Sequence, residues 1–331
     1  MKSFKNAALL LAFILVVGVL SACGSEKSAN GESNEGGSDN ESTESLSGPI
    51  TIDGSSTVFP IMEALTYQYQ KKHPETEPTV NSSGSGGGFK KSTRGEIDLS
   101  NASREIKPEE QAIAKENGVT LEPLEIAKDG LSVVVSQQND FVKSLTIEQL
   151  KQIFSKSSDA TKWSDINPEW PDETIKIFSP GHDSGTFDYF NEVILEEQPL
   201  KEGENTTLSE DDNVLVRGIS NDPYAIGFFG YAYYAENKDK LKVLGVDNGE
   251  GEPVKPTDET IQSGTYTPLS RPLYTYVNVE SLKQKPQVLD FVKFTLENAG
   301  KAAQQAGYVA LPEEKYQEQL ENVKQWASEE K

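Results

Sequence analysis

The chain is 331 residues long and carries 31 basic against 53 acidic residues, a formal net charge of -22. That balance excludes nucleic acid and an anionic membrane surface as electrostatic partners. It sets no limit on small ligands, because surface charge is screened over about 10 Å in ordinary salt and a buried site is governed by its local donors.

Lys2 and Lys5 precede an unbroken apolar run from Ala7 to Leu20, which ends in Leu20-Ser21-Ala22-Cys23. This is the layout of a secretory signal peptide, residues 1–22. The run is shorter than the roughly 20 residues a transmembrane helix needs. Small residues ahead of a cysteine resemble the lipobox read by signal peptidase II, which predicts acyl chains on Cys23. An ordinary signal peptide with an incidental cysteine is the weaker alternative, since Cys23 is the sole cysteine and stands where the lipid would go. For the same reason the chain has no intrachain disulfide. Residues 24–48 hold six acids against one lysine among Ser, Gly and Asn. So few apolar groups cannot offset the entropy of ordering, and 23–48 is expected to be a lipidated, disordered acidic tether. Its root-mean-square reach is roughly 25–30 Å. Residues 49–331 carry the aromatic and branched side chains, enough for one large or two ordinary domains.

Within that part, short apolar runs alternate with helical patterns, which predicts an α/β architecture. Strands are expected at Ile50-Thr51-Ile52, Leu131 to Val135, Ile175 to Phe178 and Leu273 to Val277. Ile61, Leu65 and Tyr69 recur at a spacing of four up to His73-Pro74, with Pro60 in the tolerated first turn of a helix. His73, ahead of a proline at a helix end, is expected to face solvent. Thr146 and Gln149 form a capping box for a helix from Ile147 to Phe154. Phe187, Phe190 and Ile194 mark one face of a helix starting near Gly185.

Three strand-to-helix junctions share one make-up: Asp53 to Val58, Ser82 to Gly88, and Gly181 to Thr186. Each sets glycine and hydroxyl residues ahead of a helix. Glycine lets a backbone approach a ligand, the first helical turn leaves N–H groups unpaired, and the helix dipole favours negative charge there. Serine and threonine add hydroxyl donors, and such a junction suits an oxyanion. One such turn is usually only an N-cap, and the Ser85-Gly86-Gly87-Gly88 run reads equally as a plain flexible loop. Three in one chain shift the balance toward a binding site. The spacing of a nucleotide phosphate loop is missing from all three. A fourth segment, Ser100 to Arg104, adds an arginine, whose planar fork suits phosphate.

His182-Asp183-Ser184 contains the residue types of a hydrolase triad, but consecutive residues cannot form a Ser-His-Asp relay. The sequence shows neither a Gly-x-Ser-x-Gly elbow nor a metal-ligand cluster. No enzyme activity, cofactor or metal is expected.

Asp53 to Val58, Gly84 to Gly88, Asn101 to Arg104 and Asp183 to Phe190 together resemble the phosphate-binding proteins of high-affinity phosphate ABC importers. So do Leu145 to Phe154 with Trp163 to Ile166, Asp211 to Val216, and Ala225 to Ala232, and the likeness runs in order through residues 49–320. The resemblance implies a periplasmic-binding-protein fold, with two lobes of mixed sheet joined by a two-strand hinge. Lobe 1 would be 49–129 with 269–331, and lobe 2 would be 130–268. It carries phosphate-binding positions onto Thr57 and Val58, Ser85, and Ser184, Gly185 and Thr186, with Ser56 as a neighbour. In the best-known members an aspartate stands where this chain has Ser103, and an arginine where it has Pro180. The aspartate accepts the proton that phosphate keeps near neutral pH and sulfate lacks. Here Arg104 is the candidate for the missing guanidinium and Asp183 for the missing acceptor, with capping of the helix near Gly185 as the alternative role of Asp183. The partners implied are inorganic phosphate, the ABC permease subunits and through them the ATPase, and a membrane reached through the lipid. The protein would be a monomer on the outer face of the cell membrane of a single-membrane bacterium. A receptor for sulfate or molybdate, a surface adhesin and a phosphate-ester hydrolase are the alternatives.

Overall fold

A computed structural model describes residues 46–182 and 184–328. The signal peptide, Cys23, the tether as far as residue 45 and Asp183 lie outside the described residues. The strands are β1 (Gly48–Gly54), β2 (Thr76–Val80), β3 (Leu99–Ala102), β4 (Leu121–Ser136), β5 (Ser144–Thr146), β6 (Lys176–Pro180), β7 (Thr206–Ser209), β8 (Ala225–Gly230), β9 (Leu241–Val243), β10 (Gly245–Asp247) and β11 (Ser270–Asn278). A curled mixed sheet runs β2-β1-β3-β11-β4-β8-β6-β7, with β9 also on β4, while β5 and β10 form a separate pair. Pairing is parallel at both ends and antiparallel through β3, β11, β4 and β8. This is the mixed α/β periplasmic-binding-protein fold expected from the sequence.

Sixteen-residue β4 changes partner along its length. Leu121 to Gly130 pair with β11, and Leu131 to Val135 pair with β8. The apolar side chains divide at the same place. One core gathers Ile50, Ile52, Leu65, Leu99, Leu124, Leu273 and Phe291. A second gathers Leu131, Val133, Phe154, Phe190, Phe228 and Leu269. In the second core Phe190 stacks on Phe228 at 3.8 Å between ring centroids, with Phe154 edge-on to both.

The helices obey local chemistry. The first, Phe59–Lys72, accepts Pro60 in its opening turn and buries Ile61, Leu65 and Tyr69. Its end differs from expectation: His73 is half-buried, its ring tilted against Tyr69 with centroids 4.6 Å apart, and lies 3.6 Å from the Asp290 carboxylate. The long helix Pro286–Gln305 packs on that corner and partly covers it. In the helix Ile147–Phe154 the capping box is complete, with Gln149 N donating to Thr146 Oγ1 at 3.1 Å and Thr146 N donating to Gln149 Oε1 at 3.0 Å. Thr146→Ala should cost about 1 kcal/mol in a urea melt; no change in the midpoint would show the box contributes nothing.

The helix Gly185–Phe190 buries Phe187 and Phe190 as expected, but it widens into a π-turn at Asn191–Leu195. The extra residue of that turn lets Ile194 and Leu195 both reach the core.

Candidate functional site

The first junction is held from below by Asp53, which is 1% exposed at the end of β1. Its carboxylate accepts the N–H of Gly54 at 2.7 Å, the N–H of Ser83 at 3.1 Å and the ammonium of Lys91. One side chain therefore ties the first junction to the second. Burial pushes the Asp53 carboxyl up, but the bonds from Lys91, Ser83 and Gly54 outweigh it and hold it below the ordinary aspartate range. Beyond Asp53, Ser56 is exposed, whereas Thr57 and Val58 are buried at the mouth of the first helix.

The second junction is not a flexible loop. Gly84 to Gly88 are already the opening turns of the helix Gly84–Ser92. Glycine has a packing reason there: a Cβ on Gly88 would stand 2.6 Å from Ser100 Oγ and 2.8 Å from Gly54 Cα. Removing that carbon lets the helix lie directly on the first junction. Ser85 Oγ accepts the N–H of Ser103 at 3.1 Å and lies 3.3 Å from Ser103 Oγ, so Ser85 and Ser103 adjoin.

The third junction comes from the second core. Ser184 is the N-cap of its helix, with its hydroxyl accepting the N–H of Thr186 at 3.2 Å. Gly185 lies against the first junction. A Cβ on it would stand 2.9 Å from Thr57 Oγ1 and 3.3 Å from Thr57 Cα. Thr57 and Gly185 thus meet face to face across the two cores.

The guanidinium in this contact is Arg271, which the sequence reading missed. It sits in β11 directly opposite Asp129 of β4. Arg271 Nε donates to Asp129 Oδ2 at 3.2 Å, and Nη2 donates to Thr57 Oγ1 at 3.0 Å and to the Gly185 carbonyl at 3.4 Å. Its Cζ lies 3.7 Å from the centroid of the Tyr189 ring, and Glu192 Oε2 is 4.0 Å from Nη1. Burial pushes the Asp129 carboxyl up, and the Arg271 charge opposes that without cancelling it. The signal was present: Arg271 shares alternation with Leu273 and Val277, so a charge falls on the buried face of a strand.

Arg104 stands beside the second junction, its Nη2 3.8 Å from where a Gly86 Cβ would be. Its fork is engaged by Glu110, with both oxygens at 2.9 Å, and by the Glu105 carbonyl at 3.0 Å. His182 is exposed, 3.2 Å from Glu202 and edge-on to Phe187. Among the described residues no group of His, Cys, Asp and Glu is arranged to hold a metal ion, and no helix is long and apolar enough to cross a membrane.

One buried hydroxyl, Thr57, the half-buried hydroxyls of Ser85, Ser184 and Thr186, a helix start from each core and one buried guanidinium form an arrangement suited to an oxyanion. The profile of the PBP superfamily domain matches residues 34–299. The phosphate-binding protein PstS of Staphylococcus haemolyticus is 40% identical over 308 residues, which is 93% of each chain. Among solved structures, a possible phosphate binding protein from Planctomyces limnophilus is 41% identical with a TM-score of 0.81, covering 86% of this chain and 100% of its own. An ABC-type phosphate transport receptor from Vibrio cholerae is 27% identical with a TM-score of 0.61, covering 80% of this chain and 100% of its own. This chain belongs to the PBP superfamily and, within it, to the family of the phosphate-binding protein PstS.

Proposed function

We propose that this chain captures inorganic phosphate between two lobes and delivers it to an ABC importer. The observation that carries the reading is the meeting of Thr57 and Gly185 across the two cores, beside a buried arginine. The lobes are 49–129 with 269–331, and 130–268. The partner change of β4 at Gly130 and the start of β11 at Ser270 support those boundaries. Contacts from both lobes favour the closed state over the open one, so the ligand itself drives closure. Phosphate contacts fall to Thr57, Val58 and Ser85 from lobe 1 and to Ser184, Gly185 and Thr186 from lobe 2, with Ser56, Ser103 and Arg104 at the margin and Asp183 as acceptor of the phosphate proton.

The protein is a receptor, not an enzyme, a reading supported by His182 facing Glu202 rather than Ser184. Cleavage before Cys23 and its acylation place the receptor on the outer face of the cell membrane. There the acidic tether keeps it, as a monomer, near the permease subunits and their ATPase.

Calorimetry on protein stripped of ligand tests the reading. Phosphate should bind with micromolar affinity or better, about -8 kcal/mol or more favourable, and sulfate should give no heat. Equal binding of sulfate or molybdate, or turnover of a phosphoester, would overturn it. If Asp183→Asn leaves selection of phosphate over sulfate intact in a competition titration, Asp183 is not the acceptor.

A further inference from the structure

Arg271 makes contact on every side, and the contacts have a direction. Its Nε takes Asp129, the residue opposite it on the neighbouring strand, at 3.2 Å. Its Nη2 reaches Thr57 Oγ1 at 3.0 Å in the first core and the Gly185 carbonyl at 3.4 Å in the second. Tyr189, from the same helix as Gly185, covers the guanidinium face at 3.7 Å. Tyr189 is itself fixed, since its hydroxyl donates to the Pro268 carbonyl at 2.5 Å.

A threonine hydroxyl has one proton to give and two lone pairs to fill. An N–H from a cation fills one of those lone pairs at Thr57, so the hydroxyl proton must point elsewhere. That charge-assisted bond also polarises the hydroxyl and makes it a stronger donor. Resting on the phosphate reading above, we propose that Arg271 is a positioning residue that sets Thr57 as a hydrogen-bond donor to the bound anion. Lysine cannot replace Arg271, because one ammonium cannot span Asp129, Thr57 and the Gly185 carbonyl from a single stem.

The test is a double-mutant cycle read by phosphate calorimetry. Arg271→Lys should weaken phosphate binding about 30-fold in the wild-type background and again in a Thr57→Ser background, which keeps the hydroxyl. In a Thr57→Val background, which has no hydroxyl to orient, the same change should cost less than about threefold. Arg271→Gln combined with Asp129→Asn removes both charges without leaving a lone buried ion, and it should follow the same pattern if the lysine variant folds poorly. Equal losses in the wild-type and Thr57→Val backgrounds, or a wild-type loss below about threefold, would overturn the proposal. The outcomes separate it from the phosphate reading: wild-type protein that binds phosphate while Arg271 variants keep full affinity sinks only the role of Arg271. Wild-type protein that binds no phosphate sinks both.

Discussion

Gly185→Ala should weaken phosphate binding about 10- to 100-fold while leaving the ligand-free protein as stable as the parent or slightly more so. The two effects have opposite signs because they arise in different places. At the first position of a helix, alanine is favoured over glycine by up to about 1 kcal/mol. Gly185 is not among the glycines held at positive φ, so its backbone accepts a side chain. The penalty comes only when the third junction meets the first, where a Cβ would lie 2.9 Å from Thr57 Oγ1 and 3.3 Å from Thr57 Cα. Thr57 cannot readily move aside, since its hydroxyl is held by Arg271. The methyl group therefore burdens the closed state alone, and apparent affinity falls with the population of that state. Calorimetry with a thermal melt of the stripped protein checks both halves. Parental affinity in Gly185→Ala would mean that the two junctions do not close on one another during binding.

Asp53→Ala should lower stability by about 3 kcal/mol, because it strips a buried acceptor from two backbone N–H groups and an ammonium. Lys91 is 43% exposed along its side chain and can return to water, so the larger share of the loss falls on the N–H groups of Gly54 and Ser83. Those two groups belong to different binding junctions, so affinity should fall along with stability. The bond network also has a pH signature. The Asp53 carboxyl is held below its ordinary value of 3.8 in the folded chain. Its contribution is therefore complete above that value and is lost as pH falls through the lower folded value, because the unfolded chain takes up the proton first. Urea melts from neutral pH down to the acid range should show the parent losing stability in that window, and Asp53→Ala should lose less there. Identical acid slopes would show that Asp53 carries no such linkage.

What could be read from the chain divides along physical lines. The Thr146 to Gln149 box and the 61, 65, 69 stripe depend on neighbours within a turn or two, and both stand where local chemistry puts them. The glycine run at 84–88 was ambiguous, because glycine is both a poor helix former and the residue a close helix contact requires. Only the packing of Gly88 on Gly54 decides for the helix. His73 was misjudged because its cover comes from Asp290, more than two hundred residues away. Arg271 escaped for the same reason. Its partners Thr57, Asp129 and Gly185 come from three distant segments, and no spacing along the chain encodes their meeting. Arg104 illustrates the converse: it is beside the right junction in sequence, yet Glu110, six residues on, takes up its fork.

A crystal structure of the residue 46–331 portion grown with phosphate tests the central claim most directly. One anion should be enclosed between the turn at 56–58, Ser85 and the turn at 184–186, within hydrogen-bond distance of Thr57 Oγ1, with Arg271 still bonded to that hydroxyl. Phosphate bound elsewhere, or touching residues of only one core, would contradict it.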